Sequence, residues 1–284
     1  MAVVEITYKE MRELFARRRR RDAHKGDYGR VLIVAGSKGM AGAAVLCARA
    51  ALRAGAGLAT LSVQDELLPI VQAAVPEATC IDRMLSAETL SGYDAVAIGP
   101  GLGVSAESRE TVYRVLENYG GELVLDADAL NIIAGTNVTF DADTIITPHP
   151  GEAARLLGAS IETVQANREN AAIALAEKFG CIAILKGAGT LVASPEIYTN
   201  LYINSTGNPG MATGGSGDVL TGVIASLAAQ GMPPLTAARA GVYIHGHAGD
   251  IMAKEFGEYG LIASDLTFGV ARAIKYLADN PMLD

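Results

Sequence analysis

What most constrains this chain is an alternation that begins at Arg30 and runs nearly to the end. Short β-branched runs are each followed by a polar or glycine-rich turn and then by a helical pattern. "RVLIVAG" reads as a buried strand, and "AGAAVLCARAALRAGA" behind it as a helix. "GLATLSV", "DAVAIGPG", "ELVLDADAL", "DTIITPHPGE" and "CIAILKGAGT" read as further strands, with "LVASP" and "LYINSTGN" as antiparallel additions. Apolar periodicity predicts helices at about 105–119, 151–158, 161–179, 218–230, 235–255 and 263–278. Parallel strands need crossover helices, so this order of elements implies α/β with a mostly parallel central sheet and helices on both faces. Ligands of such sheets bind at the carboxyl ends of the strands. "AGSKGMAG", "GPGLG", "DADALN", "TPHPGE" and "KGAGT" all fall there.

Half of the 284 residues are hydrophobic, which supports a sizeable core and excludes global disorder. With no linker, repeat or low-complexity tract, residues 1–284 read as one domain, 1–23 being a basic N-terminal helix or extension. The arginine run Arg17–Arg21 reads as a solvated helix end, with an intersubunit or phosphate contact as the alternative. A net charge of −8 argues against a nucleic-acid partner but leaves anionic small molecules open. Cys47, Cys80 and Cys181 lack metal-ligand spacing and read as reduced core residues. No apolar run reaches membrane-span length and no signal-peptide core is present, so the expected location is cytoplasmic, without a membrane partner.

The chemistry concentrates in "NPGMATGGSGDVLTG". Glycines there bare backbone amides in a tight turn, and the helix that follows adds its free N-terminal amides and positive dipole end. That combination suits a phosphoryl group. Asp218 reads either as the helix cap or as a carboxylate that takes a proton from an attacking hydroxyl. Asp126 and Asp128 read as water-mediated Mg²⁺ ligands or as caps of the next helix. Lys186 reads as a nucleotide contact or as an ordinary surface lysine. His149 stands at the ligand edge of the sheet, whereas His245 and His247 read as packing residues on a helix. There is no GxxxxGK[ST] loop, and no GxGxxG follows the first strand, which argues against P-loop and dinucleotide-dependent oxidoreductase chemistry.

In order, "HKGDYGRVLIVAGSKGMAGAA", "GPGLG", "LDADALN", "TPHPGE", "LKGAGT" and "NPGMATGGSGDVLTG" resemble the NAD(P)H-hydrate dehydratases, a branch of the ribokinase-like fold. "GGSGD" alone marks only the superfamily; "HKGDYG", "GPGLG" and "TPHPGE" narrow it. The resemblance implies a ribokinase-like three-layer α/β/α enzyme, a hydro-lyase that repairs the S epimer of hydrated NADH or NADPH. The ring hydroxyl would be phosphorylated by ADP or ATP with Mg²⁺, and phosphate then eliminated. It implies Asp218 as the catalytic base and Gly215, Ser216 and Gly217 as the anion hole. Lys186, Gly187, Ala188, Gly189, Thr190 and Gly217 would bind the nucleotide. Ala43, Gly101, Gly103, His149 and Asp218 would line the hydrate pocket. Asp126 and Asn131 are candidates for the metal or phosphate side. Relatives imply a homo-oligomer, a tetramer, and an epimerase carried here on a separate chain. The nearest alternative is a small-molecule kinase of the same fold, acting on a vitamin precursor or sugar alcohol.

Overall fold

A computed structural model describes residues 2–16, 19–195 and 201–279; Arg17 and Arg18 of the arginine run lie outside them. Among the described residues ten strands form one sheet. They are β1 Val3–Glu5, β2 Arg30–Val34, β3 Leu58–Ser62, β4 Thr79–Ile81, β5 Ala95–Ile98, β6 Glu122–Leu125, β7 Thr144–Ile146, β8 Ile182–Leu185, β9 Thr190–Ala193 and β10 Leu201–Asn204. Their spatial order is β1-β10-β9-β8-β7-β6-β5-β2-β3-β4. Every neighbouring pair is parallel except the two that involve β9. The expectation of two antiparallel additions is therefore half corrected. β9 reverses, but β10 reverses again and runs with the body of the sheet.

The strands bury both faces, which is why they read as unbroken apolar runs. In β2, Val31 and Ile33 face one core while Leu32 and Val34 face the other. The first core is covered by α1 Tyr8–Phe15, α2 Ala41–Arg53, α3 Leu68–Ala74, α10 Ser216–Ala229, α11 Pro234–Gly260 and α12 Ala263–Asp279. The second is covered by α4 Ala87–Leu90, α5 Ala106–Asn118, α6 Ala127–Ile133, α7 Pro150–Leu157, α8 Ile161–Ala166 and α9 Arg168–Phe179. The single helix expected over 161–179 is broken at Asn167, whose side chain turns to cap α9 by accepting from the Asn170 amide.

α10 is apolar all round because it is buried all round, with every residue from Val219 to Ala229 inside. The alanines of α2 let it approach closely. A Cβ on Gly222 would stand 2.1 Å from the Cys47 carbonyl oxygen, so only glycine fits this crossing. Cys47 and Cys181 are buried free thiols as expected, while Cys80 is only partly buried on β4. No described helix is long and apolar enough to cross a membrane.

The chain builds β2, β3 and β4 outward in one direction, then returns to place β5 on the other side of β2. Strand order reverses there, and in sheets of this kind the ligand crevice lies at the carboxyl ends of the strands beside such a reversal.

Candidate active site

The crevice is shaped first by glycine. Gly101, after β5, has φ +58°, and a Cβ there would stand 2.8 Å from the Ala43 Cβ at the start of α2. The turns of "AGSKGMAG" and "GPGLG" thus meet, bringing Ala43 and Gly101 together. The Gly103 amide donates to Asp128 Oδ2 at 2.8 Å, and Asn131 Nδ2 donates to Asp128 Oδ1 at 3.3 Å. Asn131 Oδ1 accepts from Arg155 Nε at 2.9 Å. Asp128 and Asn131 therefore brace the loop that follows β5.

Asp126, at the end of β6, is 1% exposed. Its Oδ1 accepts from Lys186 Nζ at 2.6 Å and its Oδ2 from Thr221 Oγ1 at 2.8 Å. Burial alone would push this carboxyl up, but the Lys186 ammonium and the Thr221 and Thr147 hydroxyls outweigh it and hold it below the usual carboxylate range. Burial acts against the Lys186 ammonium too, and Asp126 and Glu152 keep it charged. Lys186 is no surface lysine. Its Nζ also stands 3.9 Å from Glu152 Oε2, which accepts the His149 amide at 2.7 Å. His149 Nδ1 in turn accepts from the Gly151 amide at 3.0 Å, capping α7. Burial, then Lys186, lowers the His149 pKa, which suits a neutral ring that accepts at Nδ1.

At the head of α10 the cap is Gly215, with φ +91°, a conformation side chains rarely adopt. Ser216, Gly217 and Asp218 form the first helical turn, so Asp218 is not the cap. The Ser216 amide turns back to the Thr213 carbonyl at 3.3 Å. The first amide bonded within the helix is that of Val219, on the Gly215 carbonyl, so those of Gly217 and Asp218 emerge at the helix end. A Cβ on Gly217 would stand 3.3 Å from Lys186 Nζ and 3.7 Å from Asp126 Oδ2. The α-carbon of Gly217 thus faces the Lys186 ammonium and Asp126. The Asp218 carboxylate accepts no hydrogen bond from the described residues. Burial first, then the Asp126 charge, pushes its pKa up to about 7. That value suits a group that takes up a proton near neutral pH.

The loop "KGAGT" lies open beside this turn, with Gly187 and Ala188 exposed. Arg168 holds its shape: Nη2 donates to the carbonyls of Leu185 at 3.2 Å, Lys186 at 3.4 Å and Gly189 at 3.2 Å. Thr190 Oγ1 closes the loop on the Gly187 carbonyl at 2.9 Å.

Residues 31–269 match the sequence model of the NAD(P)H-hydrate dehydratases. The chain belongs to the NAD(P)H-hydrate dehydratase family. It is 42% identical to the ADP-dependent (S)-NAD(P)H-hydrate dehydratase of Neisseria meningitidis, over 91% of this chain and 88% of that protein. It is 46% identical to the bifunctional NAD(P)H-hydrate repair enzyme of Coxiella burnetii, over 88% of this chain and 51% of that protein. The chain thus spans about half the length of several curated relatives it matches. The crystal structure of the ADP/ATP-dependent NAD(P)H-hydrate dehydratase from Bacillus subtilis, co-crystallised with ATP/Mg²⁺, superposes with a TM-score of 0.88. That likeness has 31% identity and covers 98% of this chain and 99% of the other. The family carries the ribokinase-like fold expected above.

Against this dehydratase frame, no group of three or more His, Cys, Asp or Glu among the described residues could hold a metal ion. Both Asp126 oxygens are engaged by Lys186 and Thr221, and Asn131 belongs to the Asp128–Arg155 bridge. These residues do not build a resident metal cage. Sequence reasoning missed Glu152, Thr221 and Arg168. The spacing from His149 to Glu152 in "HPGE" is that of a capping box, and Thr221 lies one turn beyond Asp218 on α10. Arg168 carries no local signal, since all its acceptors lie on another element.

Proposed function

We propose that this chain dehydrates the S epimer of hydrated NADH or NADPH at the expense of a nucleotide, with ADP as the preferred phosphoryl donor. The observation that carries the reading is Asp218: a carboxylate with no hydrogen bond to the described residues, poised near neutrality and set in the same helical turn as two free amides. The Neisseria relative, named as ADP-dependent, supports the donor. Residues 1–284 act as a single dehydratase domain in this proposal. A homotetramer rests on the family resemblance, and a cytoplasmic location on the hydropathy and cysteine usage of the sequence.

Hydroxide leaves poorly at neutral pH, so the ring hydroxyl must first be converted into a better leaving group. Asp218 takes the hydroxyl proton as the oxygen attacks the terminal phosphorus. The bond from that phosphorus to the bridging oxygen breaks, releasing AMP when ADP is the donor. The amides of Gly217 and Asp218 face the transferring phosphoryl group, and "KGAGT" offers backbone to the nucleotide. The lone pair of the ring nitrogen then expels phosphate, and loss of a neighbouring ring proton restores the dihydropyridine. Mg²⁺ would arrive on the nucleotide's phosphates, and no step here runs through it.

The test is to incubate the protein with hydrated NADH, Mg²⁺ and either ADP or ATP. Return of the reduced-nicotinamide absorbance with release of inorganic phosphate is expected, faster with ADP at equal concentration. A retained organic phosphate ester would instead mark a kinase.

A further inference from the structure

The dehydratase chemistry leaves one motif unused, "YIHGHAGD" at residues 243–250 of α11. One face of it lies along the segment that leads into the phosphoryl pocket. Asp250 accepts from the Gly207 amide and from Asn208 Nδ2, each at 3.0 Å. A Cβ on Gly246 would stand 2.2 Å from Thr206 Oγ1, and one on Gly249 2.2 Å from Met211 Sδ, so helix and segment touch directly. At the pocket end of this contact, His245 Nε2 lies 2.9 Å from the Ser216 carbonyl oxygen and 3.3 Å from Ser216 Oγ.

The carbonyl decides the tautomer. A carbonyl oxygen only accepts, so the nitrogen 2.9 Å from it carries the hydrogen. With Nε2 protonated, that atom cannot take a proton from Ser216 Oγ, and a Ser–His nucleophile pair is ruled out. Burial, the largest influence on the ring, holds its pKa down to about 4, so it is neutral at working pH with a single N–H to place. The Ser216 carbonyl and the Gly217 amide belong to one planar trans peptide, in which C=O and N–H point in opposite directions. Holding the carbonyl on His245 aims the Gly217 N–H the other way, toward the open end of the helix.

We infer that His245 is a positioning residue for phosphoryl transfer: its Nε2–H bond to the Ser216 carbonyl orients the Gly217 amide of the anion hole. The inference rests on the dehydratase reading and makes α11 the template on which the glycine turn is shaped.

The experiment compares the full chain with His245→Gln, His245→Asn and His245→Leu. A glutamine amide nitrogen reaches the place of Nε2, whereas that of asparagine falls short. With hydrated NADH and ADP, His245→Leu and His245→Asn should lose kcat by roughly tenfold or more, since an anion-hole donor is misaimed. The hydrate KM should stay within about twofold, because that pocket keeps its own contacts. His245→Gln should recover most of the kcat. By calorimetry, the Leu and Asn variants should lose affinity for ADP but not for AMP, which lacks the phosphoryl group the pocket holds. A His245→Leu kcat within about twofold of the parent, or His245→Gln no better than His245→Asn, overturns the inference. If His245→Leu does not fold, the Gln and Asn pair decides alone. A parent that turns over no hydrate with either nucleotide overturns the dehydratase reading instead. The contrast between ADP and AMP affinity across the variants then still tests His245.

Discussion

The Lys186 ammonium meets the Asp126 carboxylate at 2.6 Å, directly against Gly217 at the head of α10. The carboxylate is 1% exposed, and the lysine side chain 18%. Such a pair is worth little when exchanged for apolar residues of the same shape, but removing one partner strands a buried charge. Asp126→Asn keeps the shape and leaves the Lys186 ammonium with only Glu152, at 3.9 Å, as a charged partner. It should cost roughly 3–5 kcal/mol in urea denaturation, and Asp126→Asn combined with Lys186→Met should recover part of that loss. A single mutant within about 1 kcal/mol of the parent would show that the pair does not support the fold.

Asp218 sets the pH dependence of turnover. Its pKa is raised to about 7 and the base must be ionised, so kcat/KM should climb with pH up to about 7 and level off above. Asp126 is one of the charges that raise it, so Asp126→Asn should move this limb to lower pH. Asp218→Asn should lower kcat by roughly 10²–10⁴-fold. Stability responds in the opposite sense. A carboxyl whose folded pKa lies above its unfolded value disfavours ionisation in the fold, and that penalty grows as pH rises from 3.8 to about 7. Asp218→Asn should therefore be at least as stable as the parent at about pH 8. Near-normal turnover in this variant would remove Asp218 from the mechanism.

Arg168 supports the nucleotide loop from behind. Its three carbonyl contacts are charge-assisted, and bonds of this kind are worth about 1.5–3 kcal/mol. Arg168→Ala should raise the nucleotide KM by roughly tenfold while leaving the hydrate KM nearly unchanged. Arg168→Lys should restore only part, because an ammonium lacks the planar fork. An unchanged nucleotide KM would mean that the loop holds its shape without it.

At the opposite end of the sheet, burial and then Asp143 push Glu122 up to about 7, and its Oε2 is buried without a hydrogen-bond partner. Below the ordinary value of 4.5 the group is neutral in both states and costs nothing. The penalty accumulates as pH rises from 4.5 to about 7. Glu122→Gln should raise the melting temperature at about pH 8 and leave it unchanged at about pH 4. Equal gains at both values would point to packing rather than ionisation.

The strands β2, β5, β6 and β8 were legible because burial on both faces leaves an uninterrupted apolar run between turn residues. The site turns were legible because glycine concentrates where backbone must bend or approach. The direction of β10 was not legible: "LYIN" has the same period in either orientation, and a reversal is decided by pairing with β9. The role of Asp218 as a non-cap was hidden for a related reason. Asp is a favoured cap, and only the positive φ of Gly215 shows that the helix starts three residues earlier. Thr221 reaches Asp126 across 95 residues of chain, and Arg239 reaches Glu10 across 229, distances at which local pattern carries no information.

The short strand β1 finds its partner far along the chain. Val3 pairs with Leu201, so this edge closes a loop of 198 residues, whereas β2 and β3 join through a single helix. Closure entropy rises with loop length, and it is offset by three paired residues, by the Glu10–Arg239 pair and by Ile6 and Met11 buried in the first core. Pairing at this edge is therefore of far longer range in sequence than pairing inside the body of the sheet. β1 covers the outer edge of β10, a row of backbone donors and acceptors that would otherwise be open to another chain. Cover for the β10 edge thus rests on Val3, Val4 and Glu5, at the far edge of the sheet from the β2–β5 crevice.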